Sequence, residues 1–145
     1  MVCGPSAAAT AAVVSQLKII VRANWSNPPA HGAQIVDIVL NDEALYAEWL
    51  DNLKTMSSRI KAMRQGLKDA LIAKKTPGSW EHITTHIGMF TFTGLTKKQV
   101  EHVVEKHHIY MLANGRINMC GVTEPKIDYL ATAINDAVIN VDSKL

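Results

Sequence analysis

Cysteine and aromatic residues are scarce in this chain, and neither a charge sign nor a long apolar run dominates it. The two cysteines, Cys3 and Cys120, stand far apart and match no metal or redox spacing, which excludes a disulfide framework and reads as free thiols in a reducing compartment. No window approaches the roughly 20 apolar residues of a membrane span. The opening MVCGPSAAATAAVV lacks the basic segment of a secretory leader. The chain therefore reads as soluble and intracellular, with no membrane partner. Lysine and arginine total 15 against 13 acidic residues, a net charge of +2 without a dense basic stripe, which argues against a nucleic-acid partner. There is also no GxGxxG, P-loop, nucleophile elbow or Cys/His cluster, so no self-contained active site is visible.

What is present is the profile of a globular chain: 145 residues, 48% hydrophobic and 19% charged. Pro5-Ser6 and the alanines after it predict a capped helix with Val13, Val14, Leu17, Ile20 and Val21 at helical spacing. Its end delivers Arg22 to the stiff segment WSNPP, where Pro28-Pro29 stops regular structure. Ala33 to Leu40 predicts a short helical turn, and Asn41-Asp42 can cap the next helix. From Leu45 the apolar residues Trp49, Leu53, Met56, Ile60, Met63, Leu67 and Leu71 recur by threes and fours up to Lys74-Lys75-Thr76-Pro77-Gly78. A helix of that length spans about 45 Å, enough to bridge two bodies of structure.

Beyond Gly78 the texture changes. GMFTFTG alternates with period two and predicts a strand with both phenylalanines on one face. Thr96 and Gln99 form a capping box. Ile109–Ala113 and Arg116–Cys120 read as two strands of a hairpin about Asn114-Gly115, and a last helix comes after Thr123-Glu124-Pro125. These elements suit a small α+β layer.

Arg22 and Arg116 are the candidate functional residues, because each is placed by a turn device and arginine's planar fork suits bidentate capture of a carboxylate. The plain alternative is two surface arginines with local ion pairs. His82 and His86 stand four apart but in the β-branched HITTHIG, which reads poorly as helix and offers no acidic third ligand, so no metal site is assigned. His107-His108 ends a helix, where a cation complements the dipole.

The strings RANWSNPPAHGA, RIKAMR, HITTHIGMFTFTGLTKKQVE, HHIYMLANGRINMCGVT and DYLATAI, running from about Ser6 onward, resemble the C-terminal part of the aspartate aminotransferases. These are pyridoxal phosphate enzymes of fold type I. The resemblance implies an α/β fold in three parts: residues 1–44 as the end of the large cofactor domain, 45–75 as an inter-domain bridging helix, and 76–145 as a small α+β domain. It also implies that Arg116 pairs with the substrate α-carboxylate. Arg22 would reach across a homodimer to the side-chain carboxylate of aspartate or glutamate. Ser26 and Asn27 would line the inter-subunit edge, and Phe90 would pack near the substrate. Substrates would be small dicarboxylic amino acids and 2-oxo acids, exchanged by a ping-pong mechanism in the cytoplasm; WSNPP, KTPGSWEHIT and EKHHIYML resemble the cytosolic form.

The departures are equally informative. No lysine here matches the family's Schiff-base lysine, and the family's other cofactor-binding residues lie upstream of anything in this sequence. The resemblance therefore implies a segment with no catalytic or cofactor-binding residue of its own, inactive alone, in which Val13, Leu17 and Ile20 are left exposed. An aromatic amino acid aminotransferase is an alternative, as is a non-catalytic short product that pairs with full-length subunits.

Overall fold

The computed structural model describes residues 4–141; Cys3 lies outside them. The chain divides into two compact units, residues 1–50 and 51–145.

The first unit opens with α1, Ala7–Trp25. Ser6 caps it by accepting from the Ala9 amide at 3.2 Å. The last turn of the helix delivers Arg22, as expected, but the helix continues through Trp25; only at Ser26, with φ 59°, does the backbone leave it. Helix α2, His31–Asn41, is longer than the expected turn and begins directly behind the two prolines. Asp42 closes α2 and starts α3, Glu43–Ala73: its amide donates to Ile38 O at 3.2 Å, and its carboxylate accepts from the Ala44 and Leu45 amides at 2.9 and 3.0 Å. Neither α1 nor α2 has a buried residue. Val13, Leu17 and Ile20 are exposed, as expected, and so are Ile35, Val36 and Ile38.

The second unit holds the core. The apolar stripe of α3 is buried from Met63 onward, with Leu67 and Leu71 fully enclosed. Residues 82–85 of the HITTH segment form a single helical turn, α4, rather than irregular or extended chain. Its tertiary reason is Ile83, which is drawn into the core. Strand β1, Phe90–Phe92, places Thr91 inward and both phenylalanines outward, so the aromatic face points away from the core. Helix α5, Lys97–His107, begins with the capping box of Thr96 and Gln99. Strand β2, Arg116–Asn118, pairs antiparallel with β1 in the register Phe90–Asn118, Thr91–Ile117, Phe92–Arg116. Two 3₁₀ turns, Met119–Gly121 and Glu124–Lys126, lead into α6, Ile127–Asn140. Gly66 of α3 faces the Ile127 side chain at the start of α6: a Cβ there would lie 2.7 Å from Ile127 Cδ1, which would have to shift.

The expected 109–113/116–120 hairpin does not form. The Asn-Gly turn is present, closed by Gly115 N donating to Leu112 O at 2.8 Å, but residues 109–113 are not a strand. The Gly115 carbonyl instead accepts from both the amide and the hydroxyl of Thr93, at 2.8 and 2.9 Å, which commits β2 to β1.

Helices α5 and α6 are joined by a polar clamp. Asp136 accepts from His102 and His107 at 2.7 Å each, from Lys106 at 3.0 Å and from Asn140 at 2.8 Å. The hydrogen bonds from His107, then His102 and Lys106, hold the Asp136 carboxyl far below the usual carboxylate range, against the opposing effect of burial.

The exposed apolar faces of α1 and α2 should make the purified chain bind a hydrophobic dye and associate, whereas a dye-silent monomer in size-exclusion chromatography would contradict this. The clamp makes stability depend on pH. A folded-state pKa below the unfolded one gives stability that is present above about pH 4 and lost as pH falls toward the lowered value. In chelator-treated protein, Asp136→Asn should therefore lower the melting temperature at pH 7, and the gap to wild type should narrow in melts below about pH 4.

Candidate functional site

Arg116 comes directly after the Asn-Gly turn. Gly115 has φ 75°, and a Cβ there would meet Thr93 Oγ1 at 2.7 Å and Leu95 O at 3.2 Å, so glycine is required both by conformation and by space. Asn114 Oδ1 accepts from the Arg116 amide at 3.1 Å and fixes the turn. The guanidinium carbon of Arg116 lies 3.9 Å from the centroid of Phe90, a cation–π contact across the two strands. Among the described residues no carboxylate pairs with it. Beside the pair opens a groove of about 670 Å³ whose walls include Ile109, Tyr110, Tyr129 and Lys126.

Two further arginines, both in RIKAMR, hold this arrangement in place. Arg59 donates to Cys120 O at 3.3 Å and Val122 O at 2.8 Å, fastening the turn after β2 to α3. Arg64, only 4% exposed, donates to Ile83 O at 2.6 Å, Gly88 O at 2.9 Å and Phe90 O at 2.7 Å. Burial lowers its pKa from the ordinary guanidinium value, yet arginine stays charged and spends that charge on three main-chain carbonyls. The sequence alone assigned these two no role. Their one signal was Arg64 itself, set between Met63 and Leu67 on a stripe otherwise destined for the core.

The expected site residues thus fall into two groups. Arg116 and Phe90 meet in the second unit. Arg22 and Ser26 meet in the first, where Arg22 Nη1 donates to Ser26 Oγ at 2.7 Å, and Asn27 is exposed just beyond, its amide on Trp25 O at 2.7 Å. The pair His82 and His86 has ring centroids 5.6 Å apart, with His82 Nε2 on Phe92 O at 3.0 Å. Sequence reasoning found no histidine cluster, yet His102, His107 and Asp136 converge; nothing in the spacing of residues so far apart announces it. His107 serves the clamp as well as the helix end, and His108 takes the left-handed cap position with φ 51°.

The family model for aminotransferases of class I and II matches residues 3–134. The chain belongs to that family. This aminotransferase chain is 52% identical over 129 residues to the cytoplasmic aspartate aminotransferase of Gallus gallus, and 56% identical over 126 residues to that of Dictyostelium discoideum. The alignments cover 89% and 87% of the chain but 31% and 29% of the relatives, so it spans about a third of their length. Among solved structures, the aspartate aminotransferase from Saccharomyces cerevisiae cytoplasm matches with TM-score 0.79 at 44% identity, covering 90% of this chain and 32% of that one. An aromatic-amino-acid aminotransferase from Burkholderia pseudomallei, covalently bound to pyridoxal phosphate, matches with TM-score 0.82 at 39% identity, covering 92% and 33%. The fold is therefore that of the pyridoxal phosphate-dependent aminotransferases, of which the chain carries one portion.

Pyridoxal phosphate needs an amine for its aldehyde and a partner for its pyridine nitrogen. The groove beside Arg116 supplies one amine, Lys126, and no aspartate or glutamate. These residues do not fit the cofactor.

Replacing Arg64 tests the bracing of the Arg116–Phe90 pair. Arg64→Met leaves three carbonyls without a donor and should destabilise the second unit by on the order of 3 kcal/mol in denaturant melts, while Gln65→Met on the exposed side of the same turn should change little. Equal stability of the two variants would show that the carbonyls do not depend on Arg64.

Proposed function

We propose that this segment binds the substrate carboxylates of an aspartate aminotransferase, which exchanges an amino group between L-aspartate and 2-oxoglutarate to give oxaloacetate and L-glutamate. The observation that carries the reading is Arg116: a guanidinium stacked on Phe90, braced through β2 and α3, lining an open groove, with no carboxylate among the described residues to pair with it. Such a fork is suited to an external carboxylate.

Arg22, held by Ser26 and flanked by Asn27, takes the second carboxylate of the substrate in the neighbouring subunit of a homodimer. Two forks at fixed separation measure a dicarboxylate. Residues 1–44 then belong to the large cofactor domain, 45–75 bridge, and 76–145 form the small domain that carries Arg116 toward the cofactor on closure. Cytoplasmic location and aspartate as substrate are favoured by relatives named cytoplasmic aspartate aminotransferases at 52% and 56% identity. The Schiff-base lysine and the rest of the cofactor site come from polypeptide outside this sequence, so the chain alone is inactive.

With added pyridoxal phosphate, L-aspartate and 2-oxoglutarate, the 145-residue chain should form no oxaloacetate in a coupled assay; reproducible turnover would overturn the inactivity. The native polypeptide that carries HHIYMLANGR should have an intact mass more than twice that of this chain. In an active transaminase bearing this segment, Arg116→Ala should lower kcat/KM by about 10²-fold or more for every substrate. Arg22→Ala should impair aspartate far more than alanine, which lacks the second carboxylate. Equal losses for aspartate and alanine would remove Arg22 from substrate recognition.

A further inference from the structure

The clamp between α5 and α6 has the make-up of a metal site. Nε2 of His102 and Nε2 of His107 each lie 2.7 Å from the same oxygen, Asp136 Oδ2, and the three ligand atoms are all within 4.8 Å of one another. All three side chains are partly buried, so the cluster is shielded yet reachable by solvent. The surroundings support the carboxylate and His107. Asn140 donates to the other carboxylate oxygen at 2.8 Å, the kind of outer bond that holds a ligating carboxylate in position. The Tyr129 hydroxyl donates to the His107 main-chain carbonyl, and its ring meets the His107 ring edge-on at 6.5 Å.

We propose that His102, His107 and Asp136 form a binding site for a divalent transition metal, with Zn²⁺ as the reference ion, which fastens α5 to α6. Two imidazoles and one carboxylate are a donor set for zinc or its first-row neighbours rather than for magnesium or calcium, whose preference is for oxygen. Zinc bonds of about 2.0–2.1 Å in a tetrahedron set ligand atoms roughly 3.3 Å apart. The nitrogens must therefore draw back from Asp136 by a fraction of an ångström and adopt the same spacing from each other, from a starting separation within 4.8 Å. The ion takes the place of the two Nε2 protons between the rings and the carboxylate, a neutral ring moving its proton to Nδ1 and a charged one releasing its Nε2 proton to solvent, and water fills the remaining position. Lys106 is the competitor: its ammonium sits on the same carboxylate at 3.0 Å, but it is exposed and free to swing into solvent. None of the three ligands lines the groove beside Arg116 and Phe90, and the site needs neither the cofactor nor transaminase activity.

Calorimetric titration of the chelator-stripped 145-residue chain with ZnCl₂ tests this. One saturable equivalent is expected. His102→Gln and His107→Gln should each weaken binding about tenfold or more, His82→Gln should leave it unchanged, and Lys106→Met should tighten it by removing the competing ammonium. Absence of saturable binding, or binding that survives His102→Gln and falls with His82→Gln, would overturn the proposal. If a histidine variant does not fold by circular dichroism, X-ray absorption of the zinc-loaded wild type decides: two imidazoles in the first coordination sphere support the site, and one or none refutes it.

Discussion

Arg64 brings a full positive charge into the interior of the second unit and meets no carboxylate among the described residues. Its guanidinium is satisfied by the carbonyls of Ile83, Gly88 and Phe90, which belong to α4, the connection after it and the first residue of β1. A charge buried in this way tolerates no slack, because each donor left unmatched costs the desolvation of an ion rather than of a neutral group. The consequence is positional. A chain segment with little regular structure is drawn onto α3, and Phe90 is presented at a fixed place on the sheet. Arg59, one and a half turns earlier on α3, does the same for the turn after β2. The two arginines thus brace the two strands at one end, where Phe90 of β1 pairs with Asn118 of β2, in a two-stranded sheet too short to be rigid alone.

How far the sequence revealed this depends on the range of the interaction concerned. Ser6, Asp42 and the Thr96/Gln99 box act within three or four residues of themselves, and each sits where local capping rules place it. The helical period of α3 was equally plain. The partner of β2 was not, because the Gly115 carbonyl has two ways to be satisfied, and the choice of Thr93 over a local hairpin is made by residues 22 apart. HITT became helical for the same kind of reason, through the burial of Ile83. The inward face of β1 was also hidden: alternation fixed which residues share a face but could not say that the core takes the threonine.

Within the candidate site, the turn devices marked Arg116 and the end of α1 marked Arg22, while the family resemblance supplied their roles. The bracing arginines and the α5–α6 cluster remained invisible, since both depend on chain segments that meet only after folding. Local chemistry singled out the two candidate arginines; tertiary chemistry selected the residues that brace Arg116.

The Phe90 ring bears on what Arg116 can discriminate. By covering one side of the guanidinium carbon at 3.9 Å, the ring removes water from that side and leaves the N–H rim as the place of exchange. An incoming anion need not displace the phenyl group, so its arrival and departure leave the hydrophobic contact intact. A flat two-oxygen anion lying along that rim keeps both donors engaged, whereas an ammonium in place of the guanidinium would offer neither a planar face for the ring nor paired donors for the anion. The aromatic partner thereby turns an electrostatic attraction into a preference of shape.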